Sequence, residues 1–164
     1  YNGATLNKAD TVRVYLRNGT SPYARVDSAS AILNASGYAT VNFANAVSGN
    51  YYLEISHRNA LETWSSTPVS LPTGSNTDYD FSTTQSKAYG NNLILKNGKW
   101  SLYSGDTDGS GIIELGDILN VYNDGINFVS GYTATDVNGD NIISLDDILI
   151  VYNNAAGFVA VISP

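Results

Sequence analysis

Two hydrophobic periods divide the chain. Up to about residue 104 the period is two, with Val12, Val14 and Leu16 alternating against Thr11, Arg13 and Tyr15. Val41 and Phe43 alternate with polar neighbours, and Tyr51, Leu53 and Ile55 oppose Tyr52, Glu54 and Ser56. Turn residues punctuate these runs at Asn18-Gly19, Ser36-Gly37, Ser48-Gly49-Asn50 and Pro72-Thr73-Gly74. A final pair, Leu93–Lys96 and Lys99–Tyr103, is joined by Asn97-Gly98, a strong two-residue hairpin signal. The pattern predicts an antiparallel β-sandwich over residues 1–104, with no helix before Leu115.

From Asp106 the pattern changes. Asp106–Val129 aligns without gaps on Asp136–Val159, thirty residues later. Identical pairs include Asp106/Asp136, Ile113/Ile143, Leu115/Leu145, Asp117/Asp147, Leu119/Leu149, Val121/Val151, Tyr122/Tyr152 and Phe128/Phe158. In each copy Ile118-Leu119-Tyr122 or Ile148-Leu149-Tyr152 recurs at i, i+1, i+4, which predicts one face of a short helix. Residues 105–164 are therefore expected to form a second, small α-helical domain. Ile113 and Ile143 are expected to face each other across a contact between the two loops.

Each repeat opens on oxygen-bearing residues. Asp106, Asp108 and Ser110 stand at positions 1, 3 and 5 of the first, followed by Ile112 at 7, Glu114 at 9 and Asp117 at 12. Asp136, Asn138, Asp140, Ile142, Ser144 and Asp147 hold the same positions in the second. Calcium takes about 6–8 oxygens at about 2.3–2.6 Å. Short side chains at alternate positions wrap one side of such an ion, a backbone carbonyl at 7 adds a ligand, and the acid at 12 closes the cage. Position 6 turns sharply, which suits Gly111 and, next best, Asn141. Asp117 and Asp147 also begin the helical segments, where a carboxylate favourably faces the helix dipole. Two bound calcium ions are expected, the first loop binding more tightly because it carries four carboxylates against three.

Charge supports this reading. All eight Lys and Arg residues lie between Lys8 and Lys99, with six carboxylates, a formal +2. From Asp106 onward there are nine carboxylates and no basic residue, yet the segment is rich in Ile, Leu and Val. A packed core beside so much negative charge calls for bound cations.

The paired loops, each with Asp at position 12 and a helix after but not before it, resemble a type I dockerin over about 106–158. The resemblance implies a small domain docking on a partner β-sandwich, a cohesin. It places partner-reading residues at Leu115, Gly116, Tyr122 and Asn123, and at Leu145, Asp146, Tyr152 and Asn153. Dockerins ordinarily carry Ser/Thr and Lys/Arg there, and this chain carries none of those. Gly49–Ile55 is similar to the G-x-Y-x-L-x-I strand of transthyretin-like, carboxypeptidase-regulatory-type sandwiches of secreted bacterial proteins. That implies a structural or adhesive module.

Other classes fare worse. No Cys rules out thiol catalysis, the lack of Met leads us to expect a mature product or a fragment, and no apolar run is long enough to form a membrane-spanning helix. The basic residues are scattered, so nucleic acid is not expected. His57 is the only histidine, and Glu54 with Glu62 is the only carboxylate pair worth weighing for glycoside hydrolysis. Both read better as structural, so the chain is expected not to be an enzyme. Trp64, Trp100, Tyr51, Tyr52, Tyr15 and Tyr23 offer a rival reading as a carbohydrate-binding module, and Asn18 and Asn34 sit in glycosylation triplets. The expectation is an extracellular or cell-surface, calcium-stabilised docking protein. Its partner is a cohesin-like sandwich or a copy of itself in a filament or layer. Phe158–Ile162 is either a strand for sheet augmentation or packing for the repeat.

Overall fold

A computed structural model describes residues 10–164, so Lys8 lies outside the described residues. Five antiparallel strands form one sheet: β1 (Thr11–Asn18), β2 (Arg25–Ile32), β3 (Gly49–His57), β4 (Ala60–Trp64) and β5 (Val69–Leu71). The order is β2-β1-β3-β4, and β5 pairs with β3 beyond the end of β4. The alternation in β1 is realised as read: Val12, Val14 and Leu16 are buried while Thr11, Arg13 and Tyr15 are not. The Asn97-Gly98 turn joins β6 (Ile94–Lys96) to β7 (Lys99–Ser101), and both of its residues have positive φ, 49° and 76°. That is the backbone a type I′ hairpin needs.

Two expectations fail locally. Val41–Phe43 forms no strand; the segment is an irregular connection, with Asn45 donating to Asp27 at the edge of the sheet. Gly49 and Asn50 are not a turn but the start of β3, where Gly49 pairs with Leu71.

The second face of the sheet is aromatic and charged. Tyr52 meets Tyr23, Trp64 and Tyr89 edge to face at 5.8–6.2 Å. Arg17 lies over Trp64 and ion-pairs with Glu54, which is almost completely buried. Glu54 is thus no solvated strand charge, because a buried carboxylate persists only with its partner beside it. Burial pushes the neighbouring Glu62 carboxyl up, and Trp64 Nε1 donates to it at 2.6 Å. Trp64 and Tyr51 are buried, and Tyr15 is flanked by Arg13 and Arg25. Those three rings are committed to packing.

Two 12-residue helices follow, α1 (Leu115–Ile126) and α2 (Leu145–Ala156). Their buried faces carry Asp117 and Val121, and Asp147, Val151 and Asn154. Leu119, Tyr122, Leu149 and Tyr152 are exposed, and of the recurring trio only Ile118 and Ile148 pack against the core, so the trio is split between two sides of each helix. The reason is that Ile118 shares its side with Val121 at i+3, whereas Leu119 and Tyr122 continue from Leu115 at i+4 and i+7.

The contiguous apolar core joins the two parts of the chain. Leu61 of β4 clusters with Ile113, Val121, Val137, Ile143 and Val151. Ile113 and Ile143 share this core, but the loops do not pair with each other. Ile112 bridges to Ala160 and Ile142 to Ser130, so each loop binds the segment trailing the other repeat's helix. The C-terminal segment is thereby used internally. Val161 N donates to Gly111 O at 2.8 Å and Ala160 O accepts from Asn92 Nδ2 at 3.0 Å.

Candidate metal centre and docking face

The loops fold around their first carboxylate. In the first, Asp106 Oδ2 accepts from Gly111 N at 3.1 Å, while Asp106 Oδ1 is buried without a hydrogen-bond partner. Gly111 has φ 84° and its counterpart Asn141 φ 73°, the left-handed turn that position 6 requires. Asp117 is fully buried; its Oδ1 accepts from Thr107 N at 2.7 Å and Oδ2 from Glu114 N at 2.9 Å. One carboxylate therefore ties the loop's start to the helix's first turn. Ligand oxygens of Asp106, Asp108 and Asp117 lie within 4.8 Å of one another. Ser110 Oγ donates to Ile112 O at 3.0 Å, so positions 5 and 7 are adjacent, and Glu114 at position 9 is exposed.

The second loop repeats the design with small changes. Asp136 accepts from Gly139 N at 2.9 Å and Asn141 N at 3.1 Å. Asp147, also fully buried, accepts from Val137 N, Asn138 N and Ser144 N at 2.8–2.9 Å. Asn138 Nδ2 donates to Asp140 Oδ2 at 3.1 Å, and Asp140 Oδ1 accepts from Ile142 N at 2.8 Å. The side chains at positions 3 and 5 thus satisfy each other. Ile142 is exposed, and Ser144 caps α2 by accepting from Asp146 N. Among the described residues, only the first loop gathers three carboxylates closely enough to hold an ion.

Electrostatics agree with the geometry. Burial, with the nearby charges of Asp117 and Asp108, pushes the Asp106 carboxyl above the ordinary range against the pull of the Gly111 N–H. Burial and the Asp136 charge push Asp147 up in the same way, despite its backbone donors. Buried carboxylates held against their own repulsion, one oxygen orphaned, fit a hard divalent cation.

The helices present a second apolar row to solvent. Leu115, Leu119, Tyr122 and Ile126 follow each other at i, i+4, i+7 and i+11 on α1, each about half exposed or more. Leu145, Leu149 and Tyr152 repeat the row on α2. Asn123, Asp146 and Asn153 are exposed beside them. Phe128 and Phe158, at 91% and 90% exposure, sit at φ 54° and 53° just past each helix. The positions taken from the dockerin resemblance are all exposed except Gly116, which is partly buried. Leu119, Leu149, Ile126 and Phe128 were missed as surface residues, although the thirty-residue repeat and, for Leu119, the i+4 spacing from Leu115 already marked them.

The architecture is a mainly antiparallel β protein with two helices, each entered from an oxygen-rich loop. Its likeness to solved structures runs through nearly the whole chain. The fold matches a chain of an N-terminal interface mutant of a type II cohesin–X–dockerin complex from Acetivibrio cellulolyticus. The TM-score is 0.52 at 23% identity, over 96% of this chain and 91% of that one. A C-terminal interface mutant of the same kind of complex gives 0.50 at 24% identity, over 94% and 88%. At such identity the likeness is one of fold. No protein-family model matches the sequence, and no curated protein is significantly similar to it.

Proposed function

We propose that the chain is a non-catalytic, calcium-stabilised docking module of an extracellular or cell-surface assembly. The observation that carries this reading is the coupling of loop and helix. Each oxygen-rich loop ends in a buried aspartate that starts a helix, and each helix turns an unpartnered apolar row outward. Calcium at the two sets of loop positions would neutralise about four of the nine negative charges and hold both helix starts in place. Asp106, Asp108, Asp117 and the Ile112 carbonyl would hold the first ion, with Ser110 and Glu114 completing it. Asp136, Asn138, Asp140, Asp147, the Ile142 carbonyl and Ser144 would hold the second.

The row Leu115, Leu119, Tyr122 with Leu145, Leu149, Tyr152 would then meet a β-sandwich partner of the cohesin kind, flanked by Asn123, Asp146 and Asn153. This is the dockerin-like arrangement, and the whole-chain likeness to cohesin–X–dockerin complexes supports it. No helix among the described residues is long and apolar enough to cross a membrane. The second reading, self-assembly into a filament or layer, draws on the formal +2 of the first part facing the −9 of the second.

A pull-down in calcium against isolated cohesin-type sandwiches tests the docking face. The doubly substituted chain Leu119→Asp/Leu149→Asp is expected to bind at least about tenfold more weakly than the wild type, with calcium binding intact. Sedimentation distinguishes the alternatives. A polymer that grows with concentration and dissolves on chelation supports self-assembly. Absence of both cohesin binding and self-association contradicts a docking role.

A further inference from the structure

β3 and β4 are connected by a two-residue turn, Arg58–Asn59, with His57 paired to Ala60. Two-residue hairpins favour primed turns with positive φ, built from Asn-Gly or Gly-containing pairs. Neither Arg58 nor Asn59 is at positive φ, and the ladder shifts register between Ile55 and His57. Turn preference therefore does not account for this pair, whereas its contacts do.

Arg58 Nη1 donates to the carbonyl of Asp136 at 2.8 Å and to that of Thr133. Asn59 Nδ2 donates to the same Asp136 carbonyl at 3.0 Å. The Asn59 carbonyl in turn accepts from Gly105 N at 2.6 Å, the residue before Asp106. Asn59 is 2% exposed. The guanidinium lies 4.5 Å over the Tyr132 ring, and its Nε faces Asp10 Oδ2 at 3.4 Å. One turn of the sheet thus grips the entrance to both loops, the first through its backbone and the second through its side chains.

We infer that Arg58 and Asn59 are positioning residues for the second calcium loop, holding Asp136 in place so that the loop binds its ion from an ordered state. This rests on the calcium reading above. Asp136 is fixed from two sides: its carbonyl by the turn, its carboxylate by Gly139 N and Asn141 N. The second loop has more to gain from such ordering. It has three carboxylates where the first has four, and Asn in place of Gly at position 6. A guanidinium near a cation site would by charge alone weaken binding. Asp10 beside Arg58 offsets that charge, which leaves the ordering effect to act.

The experiment uses the full ¹⁵N-labelled chain, stripped of metal and titrated with calcium. The amides of Gly109 and Gly139, position 4 of each loop, report the two sites separately. In Arg58→Ala the Gly139 midpoint is expected to move to about tenfold higher calcium, while Gly109 stays within about twofold. Arg58→Lys, which keeps a donor, recovers part of the loss. Asn59→Ala removes one donor and leaves the Gly105 bond in place. It is expected to shift Gly139 selectively by a smaller factor, and it gives the answer if Arg58→Ala does not fold. Equal displacement of both glycines, or of neither, overturns the inference. A wild-type chain with no calcium response at either glycine instead defeats the calcium reading itself.

Discussion

Replacing Asp117 with alanine is expected to reduce calcium binding from two ions to one and to destabilise the chain even without metal. The side chain is fully buried and does two jobs at once. As the twelfth loop residue it would close the first cage. As an acceptor it satisfies Thr107 N, Thr107 Oγ1 and Glu114 N. Stranding these donors costs about 3 kcal/mol, since each buried unsatisfied donor costs about 1–3 and the site is partly open to water. Asp117→Asn separates the roles, because the amide oxygen still accepts from Thr107 while the charge is lost. It is expected to weaken calcium binding as severely but to cost less stability in chelator. Denaturant titration of the three chains, with and without calcium, checks both effects. Full retention of two sites in Asp117→Ala would contradict the assignment.

The second large effect is expected at Leu61. It belongs to the sheet, yet its side chain is fully buried in the cluster built by Ile113, Val121, Ile143 and Val151 of the repeats. Truncation to alanine removes that apolar contact and leaves a cavity, at a cost of about 2–5 kcal/mol. For a chain of this size that lowers Tm by about 10 °C. Because the core is shared, the loss is expected to weaken the repeats as well as the sheet, read as a higher calcium midpoint in both loops. A Leu61→Ala chain with unchanged calcium midpoints would mean that the two parts fold independently.

The repeats were legible in the sequence because their chemistry is local. Loop ligands, the position 6 turn and the helix start all lie within a dozen consecutive residues, and duplication separates them from chance. β1, β3 and the β6–β7 hairpin were legible for the same reason, through alternation and an Asn-Gly turn. What stayed hidden depends on distant partners. Glu54 looks like a solvated strand residue until Arg17 is placed over it. Arg58 and Asn59 look like an ordinary surface turn until Asp136, 77 and 78 residues away in sequence, receives their hydrogen bonds. Which side of each helix is buried stayed hidden as well, because each helix carries two apolar rows, and periodicity alone does not say which one a core will cover. Val41–Phe43 failed as a strand since alternation over three residues is too short to outweigh an irregular, edge-tethered path.

Calcium titration by calorimetry on metal-stripped chain, paired with melting curves in calcium and in EGTA, tests the central claim most directly. The expected result is two ions bound per chain. At about a hundredfold excess over the dissociation constant, each site should stabilise the chain by about 2.7 kcal/mol. Together the two should raise Tm by about 15 °C. No heat on calcium addition, with identical melting curves in the two conditions, would contradict it.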